Sequence, residues 1–437
     1  MKHLKAQDAK HYDFSLAVER RGTGAAKWDL IPDGRLPFWV ADMDFAVAPE
    51  ITSALQERAE HPVFGYTLPP ESLYEAFLEF QLRRHGRSIA REHCVVVPGV
   101  MPALRTAVEL LSKPGDSIVL QPPVYPPFFD AIKAKGRQVA ENPLVLENDV
   151  YRMDLAGLEE LFQAGARLML LCSPHNPVGR VWSETELTEL AELCRRYKVT
   201  VISDEIHADI RHAAAPEHAA ASVGRTEHAG HAEHAAASAG GAANSGHAES
   251  RAFLPFDAFL SVNEEDSGDG AQVISLVSPS KTFNIPGASV AFAVIPNRPL
   301  RRRFRAGLKA NGLDHPHIFG MISSEAGYRF GDTWLNGLGE QLHANLALLD
   351  RLCSESSLKP RLYAPEISFV AWVGFHDFLS SAGLTDEEFQ EKLRSVAELE
   401  LSHGPDFGTG GSGFQRINFA TSPALLEECF QRLERLV

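Results

Sequence analysis

The stretch Val277-Ser278-Pro279-Ser280-Lys281-Thr282-Phe283-Asn284 follows an apolar run from Val273 to Val277. A buried strand ending in two hydroxyls and a lysine delivers a primary amine to one fixed point, beside hydrogen-bond donors suited to an anion. That arrangement suits a Schiff base to a phosphorylated aldehyde, with Ser278 and Ser280 placed to hold the phosphate. A lysine serves this chemistry only when part of its population is neutral, and desolvation or a neighbouring cation lowers its pKa enough. A solvated loop is the ordinary fate of a lone lysine. Alone, the stretch leaves both readings open.

Upstream, a repeated strand, loop and helix rhythm predicts a mostly parallel sheet with helices on both faces. Val95-Val96-Val97 runs into Pro98-Gly99-Val100-Met101, and Pro102 opens a helix through Leu111. The free amides at the start of such a helix suit an anion. Ile118-Val119-Leu120 leads to the stiff loop from Pro122 to Pro127, which holds Tyr125 at a strand end, where open α/β sheets bind ligands. Tyr125 suits stacking on a flat ring, or equally filling a gap between helices. Leu168 to Leu171 ends in Cys172-Ser173-Pro174-His175-Asn176-Pro177, where Asn176 also fits an ordinary turn. Ser183-Glu184-Thr185-Glu186 is a capping box that starts a helix through Tyr197. Val199 to Ile202 then ends at Ser203-Asp204-Glu205-Ile206-His207. A carboxylate at a buried strand end is costly unless it meets a cation.

The periodicity divides the chain into an N-terminal arm (1–48) packing with the C-terminal unit, a large domain (49–310) and a smaller α+β domain (311–437). The arm condenses aromatics and acids in Pro37-Phe38-Trp39-Val40-Ala41-Asp42-Met43-Asp44-Phe45. Phe64-Gly65-Tyr66 reads as an exposed aromatic turn. In the smaller unit, Ile367 to Val373 and Arg416 to Phe419 read as strands. A Gly-rich loop from His403 to Gly413 precedes Arg416, whose fork suits a carboxylate, a surface ion pair being the plain alternative. Residues 212–250 interrupt the pattern with 15 alanines and six histidines, a composition too poor in apolar surface to order itself. The histidines invite a metal reading, but low-complexity drift gives the same composition with no fixed geometry, and no metal is assigned.

Composition narrows the function classes. At 437 residues the chain exceeds one typical core. Its 42 Lys and Arg against 57 Asp and Glu leave a net charge of -15, which repels nucleic acid and anionic lipid. Five scattered cysteines show no zinc or redox spacing and read as reduced, mostly buried thiols. No apolar stretch approaches the roughly 20 residues of a membrane span. A cytoplasmic protein is the simplest reading, with nucleic acid and membrane poor partners.

Together these segments resemble the fold-type I pyridoxal 5'-phosphate (PLP) enzymes of the aminotransferase class I/II superfamily, over nearly the whole chain except the His/Ala tract. The resemblance implies a large α/β domain with a mostly parallel sheet and a smaller α+β domain. It also implies that Lys281 carries PLP as a Schiff base, while Asp204 pairs with the protonated pyridine nitrogen. Two opposite charges about 4 Å apart at an effective dielectric of 20 attract by roughly 4 kcal/mol, about three pKa units. Asn176 would bond the phenolic oxygen and Tyr125 stack on the ring. The amides of Val100 and Met101 with the hydroxyls of Ser278 and Ser280 would hold the phosphate, and Arg416 the substrate α-carboxylate beside Ala41.

Two departures narrow the branch. Where ordinary aminotransferases of this type place a phosphate-binding arginine and a tyrosine, this chain has Ser289 and His207. With the Trp39 to Phe45 segment, these are similar to the cystathionine β-lyase branch called the MalY/PatB group. That branch implies a homodimer in which Tyr66 of the neighbouring subunit reaches the phosphate. It implies β-elimination on cystathionine or cysteine S-conjugates, with Lys281 as general base and thiol, pyruvate and ammonia as products. An aminotransferase uses the same residues, and a regulatory protein that sequesters a transcription factor is the reading from another class.

Overall fold

The computed structural model describes residues 12–15, 18–212, 252–260 and 270–437. The His/Ala tract beyond His212 lies outside the described residues, and with it both its expected mobility and the metal reading of five of its six histidines. His212 itself is buried, and its Nε2 bonds the carbonyl of Ser368. Among the described residues no group of three or more His, Cys, Asp or Glu is placed to hold a metal ion.

Seven strands form the central sheet: β1 (Cys94–Val97), β2 (Ser117–Leu120), β3 (Gln138–Glu141), β4 (Leu168–Cys172), β5 (Thr200–Asp204), β6 (Gln272–Val277) and β7 (Ala291–Val294). Their order is β1-β7-β6-β5-β4-β2-β3. Strands β2 to β6 pair in parallel, and β7 runs antiparallel to both β1 and β6. The rhythm predicts the parallel part. The reversal of β7 has a local cause: the connection from Val277 to Ala291 holds only a helical turn, Pro279–Thr282, and a 3-10 turn, Pro286–Ala288. The chain therefore re-enters the sheet at the end it left, without a crossover helix to carry it back. Strands β1, β4, β6 and β7 are buried throughout, so their sequences read as continuous apolar runs.

Gly320 lets the helix Ile318–Phe330 close onto the turn that follows Lys281, since a Cβ there would lie 2.1 Å from the Ala288 carbonyl oxygen. The helix expected from Pro102 begins two residues earlier and spans Val100–Leu111, with Gly99 at φ 109° bringing its first turn against β1. The C-terminal sheet comprises β8 (Arg361–Tyr363), β9 (Val370–Gly374), β10 (Ser402–His403) and β11 (Phe414–Asn418), antiparallel in the order β8-β9-β11-β10. All five cysteines are buried and free, and no described helix is long and apolar enough to cross a membrane.

The arm before Pro49 is pinned from two sides. Leu36–Pro37 pairs in parallel with Leu399–Glu400, and the Asn418 amide donates to the Phe38 carbonyl at 2.8 Å. Asn418 Nδ2 donates to the carbonyls of Val40 and Asp42, at 2.7 and 2.6 Å. From the other side Asn284, three residues after Lys281, accepts from the Met43 amide and donates to the carbonyls of Met43 and Phe45. Beneath the arm Lys27 Nζ lies 2.7 Å from Asp44 Oδ2, both side chains almost fully buried, while Arg20 and the Trp28 indole reach Asp44 Oδ1. Removing one partner of such a cluster strands a buried charge, at a cost of roughly 3–5 kcal/mol. Asp44→Ala is therefore expected to lose stability in that range, seen as a lower midpoint of urea unfolding, and an unchanged midpoint would mean that the cluster does not hold the arm.

Candidate active site

The C-terminal ends of the central strands, the arm and the C-terminal sheet enclose a cavity of about 690 Å³. Its lining includes Ala41, Val100, Met101, Tyr125, Asn176, Asp204, His207, Ser278, Ser280, Lys281 and Arg416. Eleven residues singled out in the sequence thus meet in one place. Tyr66 does not: it is fully exposed and lines a separate surface groove with Phe64 and His315.

Lys281 lies in the short helical turn capped by the Ser278 hydroxyl, and its Nζ donates to the Ala41 carbonyl of the arm. Burial pushes its amine down to about 8, with the positive charge of Arg416 adding to the effect. Asp204 ends β5, where its Oδ1 accepts from the Ile206 amide at 3.1 Å. Burial pushes this carboxyl up to about 7. No Lys, Arg or His lies within salt-bridge distance of Asp204 among the described residues. Neutral and charged forms of both groups are therefore close in energy, as reactive sites require.

Arg416 on β11 is buried, and burial pushes it down to about 10. Its Nη1 donates to Asn176 Oδ1 at 3.1 Å, and its Nη2 donates to the Trp39 carbonyl at 2.7 Å and to Ser402 Oγ at 3.2 Å. Nε has no partner, and no carboxylate of the described residues pairs with the guanidinium. A buried cation surrounded only by neutral acceptors is a site for an anion supplied from outside. Register explains the arrangement: Ser402 and Trp372 face Arg416 across β10 and β9, while the Phe407 ring lies 5.2 Å from its guanidinium carbon.

At the other end of the cavity, Gly99, Val100 and Met101 form the first turn of their helix, where amides lack intrahelical partners. The Ser278 hydroxyl has protein acceptors for its one hydrogen, the Val290 carbonyl at 2.7 Å and Ser280 Oγ at 2.9 Å. Of the two serines, Ser280 is thus the one with a hydrogen to spare. His207 is buried, with Nδ1 2.9 Å from Ser368 Oγ. Ser402, Asn284 and Asn418 were missed as site residues. The two asparagines stood next to the quoted lysine and arginine, but nothing in their spacing identified the arm as what they hold.

The comparisons with known proteins decide the family. Residues 36–433 match the family described as Aminotransferase class I and II. The chain belongs to this family. Cystathionine beta-lyase PatB of Bacillus subtilis is 34% identical over 428 residues, covering 97% of this chain and 99% of that protein. A PLP-bound structure from Clostridium difficile 630 superposes with a TM-score of 0.83 at 31% identity, covering 97% of this chain and 99% of that one. Cystalysin from Treponema denticola, whose structure contains a pyridoxal 5'-phosphate cofactor, gives 0.83 at 27% identity, covering 97% and 98%. The architecture is that of a fold-type I PLP enzyme, and the cavity fits the cofactor: a buried amine, an unpaired buried acid and open helix amides surround one space.

The raised carboxyl has a measurable consequence. A group whose folded pKa of about 7 exceeds its ordinary 3.8 contributes stability that is complete below pH 4 and lost as pH rises through 7. Asp204→Asn is therefore expected to raise the melting temperature of cofactor-free protein at pH 8, by up to roughly 4 kcal/mol in stability. The gain should vanish towards pH 4, and equal gains at both values would refute the assignment.

Proposed function

We propose that the protein is a PLP-dependent carbon–sulfur lyase, releasing thiol, pyruvate and ammonia from cystathionine or cysteine S-conjugates. The observation that carries the reading is Arg416, a buried cation without a carboxylate partner, opening into the same cavity as Lys281 and Asp204. Bound at Lys281, PLP supplies the sink that stabilises negative charge at the substrate α-carbon. Asp204 would hold the ring nitrogen, and attraction to that cation would return its carboxyl towards the ionised form. Asn176, Tyr125 and His207 would contact the ring, and the first turn at Val100 and Met101 would hold the phosphate with Ser280, the serine whose hydrogen is not committed to Val290.

Arg416 binds the substrate carboxylate through its unused donor directions, and the Ala41 carbonyl lies beside the lysine it faces. Both interactions orient the α-hydrogen towards Lys281 Nζ. With its pKa lowered to about 8, that amine is neutral often enough near neutral pH to remove the proton and charged often enough to return one. The thiolate then leaves the β-carbon and takes up the proton held by the lysine, and water hydrolyses the released 2-aminoacrylate to pyruvate and ammonia. PatB, a cystathionine beta-lyase by name, supports this outcome, as do Ser289 and His207 at the two departing positions. An aminotransferase would use the same residues, and it is the reading that the family description favours.

The cavity is lined by three Lys and Arg side chains, Lys281, Arg394 and Arg416, and the first turn Val100-Met101-Pro102-Ala103 itself carries no basic residue. A phosphate there is incompletely met, which supports a homodimer in which Tyr66 crosses to the neighbouring site. Supplied with L-cystathionine and PLP, the protein is expected to release pyruvate and homocysteine stoichiometrically. Keto-acid-dependent amino transfer without thiol release would replace the lyase reading with the aminotransferase. Arg416→Lys, which keeps the charge but loses the fork, should lower kcat/KM roughly 10- to 100-fold. A second test addresses Tyr66. Mixing inactive Tyr66→Ala and Lys281→Ala chains should restore activity, because a hybrid dimer gathers both defects in one site and leaves the other intact. No recovery in verified hybrids would place Tyr66 outside the site.

A further inference from the structure

Ser368 immediately precedes Phe369 and β9, and it adopts φ 94°, a conformation that glycine tolerates and that residues with a side chain rarely adopt. It is buried, and all its polar groups are engaged with one segment of the large domain. Its amide donates to the Ile210 carbonyl at 2.9 Å, and its carbonyl accepts from His212 Nε2. Its hydroxyl lies 2.9 Å from His207 Nδ1, the one partner that hydroxyl has among the described residues. A strained backbone at a buried position persists where the surroundings impose it, and such strain collects at functional sites. Here the backbone bonds would be made equally well by glycine. What serine adds is the hydroxyl.

The direction of that hydrogen bond follows from counting donors. Burial pushes His207 down to about 3, with Lys281 and Arg416 adding to the effect, so the imidazole is neutral and carries one N–H. Were that hydrogen on Nδ1, it would point at the serine oxygen, and the serine hydrogen would be left buried without an acceptor. With the hydrogen on Nε2, Nδ1 accepts from Ser368, and the one hydrogen without a protein acceptor is the N–H of a cavity-lining ring rather than a buried hydroxyl. His207 lines the cavity, and Nε2 has no protein partner among the described residues.

We propose that Ser368 is a positioning residue: its hydroxyl donates to His207 Nδ1, fixing the Nε2–H tautomer and presenting that N–H to the cavity as a donor for an acceptor atom of the bound cofactor. The final clause rests on the PLP reading above; the tautomer does not. Ser368 itself touches neither cofactor nor substrate in this scheme and acts through the histidine ring.

The test separates the two. In full-length protein before PLP is added, two-bond proton–nitrogen correlation spectra of ¹⁵N-histidine identify the tautomer, with His207 assigned by its loss in His207→Asn. Wild type should show Nε2–H, and Ser368→Gly, which suits the backbone angle, should shift His207 to a tautomer mixture. Ser368→Ala serves as the second variant and should do the same. The dissociation constant for PLP should rise roughly 5- to 10-fold in Ser368→Gly, the loss of one hydrogen-bonded support. It should be unaffected by the same change in a His207→Asn background. Wild-type His207 protonated on Nδ1 overturns the proposal, as does an equal loss of PLP affinity with and without the histidine. Absence of PLP binding to wild type would defeat the cofactor reading alone, because the spectra still decide what Ser368 does.

Discussion

Three charged side chains, the half-buried Lys281 and the buried Asp204 and Arg416, surround one cavity without being paired to one another, and the rest of the structure accommodates that constraint. Each is pushed towards its neutral form, the amine to about 8, the carboxyl to about 7 and the guanidinium to about 10. Direct pairing of Lys281 with Asp204 would relieve two of the three and remove the chemistry, since a paired amine is neither nucleophile nor base. The separation is enforced by position. Asp204 ends β5 and Lys281 follows the neighbouring β6, but each side chain bonds a backbone group of its own, the Ile206 amide and the Ala41 carbonyl. Charges elsewhere are paired instead, as Arg87 is between Glu205, which directly follows Asp204 in sequence, and Asp257.

The arm supplies what the sheet cannot. A parallel sheet presents strand ends and loops to a ligand, all from one side, whereas a substrate held against a lysine needs contacts from the other side too. Carbonyls of Trp39 and Ala41 provide them, accepting from Arg416 and Lys281 respectively. Backbone acceptors of this kind are useful only if they stay in place. Asn418 grips the carbonyls of Val40 and Asp42 from the C-terminal sheet, and Asn284 grips Met43 and Phe45 from the lysine turn. Two asparagines, one next to each catalytic element, therefore fix the same strip of chain from opposite directions. Movement of the C-terminal sheet would carry the arm, and with it the acceptor of the lysine.

The parts of this arrangement that could be read in the sequence are those carried by local chemistry. A strand ending in Ser-x-Ser-Lys, an acid at the end of an apolar run and a proline-flanked asparagine each announce themselves through residue type at a strand end, and all face the cavity. The sheet's parallel part followed from the strand and helix rhythm; the reversal of β7 did not, because a short connection containing one helical turn looks like any loop. Ser278 read as a phosphate ligand on proximity alone, and only the structure shows its hydrogen already directed to Val290. Ser368, Ser402 and the asparagine clamps were invisible for a different reason. Apart from the Ser402–Arg416 contact, their partners lie from 156 to 378 residues away in sequence, and no local pattern encodes a contact at that range.

The phosphate end shows how a change of residue type can be absorbed by assembly. Ser289 occupies a left-handed turn at φ 49° at the position where an arginine serves ordinary members of the superfamily. Its side chain is neutral, and among the cavity-lining groups the first turn at Val100 offers a dipole equivalent to roughly half a charge. Half a charge against a phosphate of nearly two leaves a deficit that hydroxyls reduce but do not cancel. The segment Val63 to Leu68, exposed along its length with Tyr66 at its centre, is a surface that an isolated chain has no reason to keep apolar. The homodimer proposed above would account for lost charge at one place and apolar exposure at another together, the phenol of a second copy completing the phosphate site while its neighbours cover the patch. In that arrangement loss of the arginine makes the cofactor site dependent on the dimer, so that folding, association and cofactor retention become a single linked equilibrium.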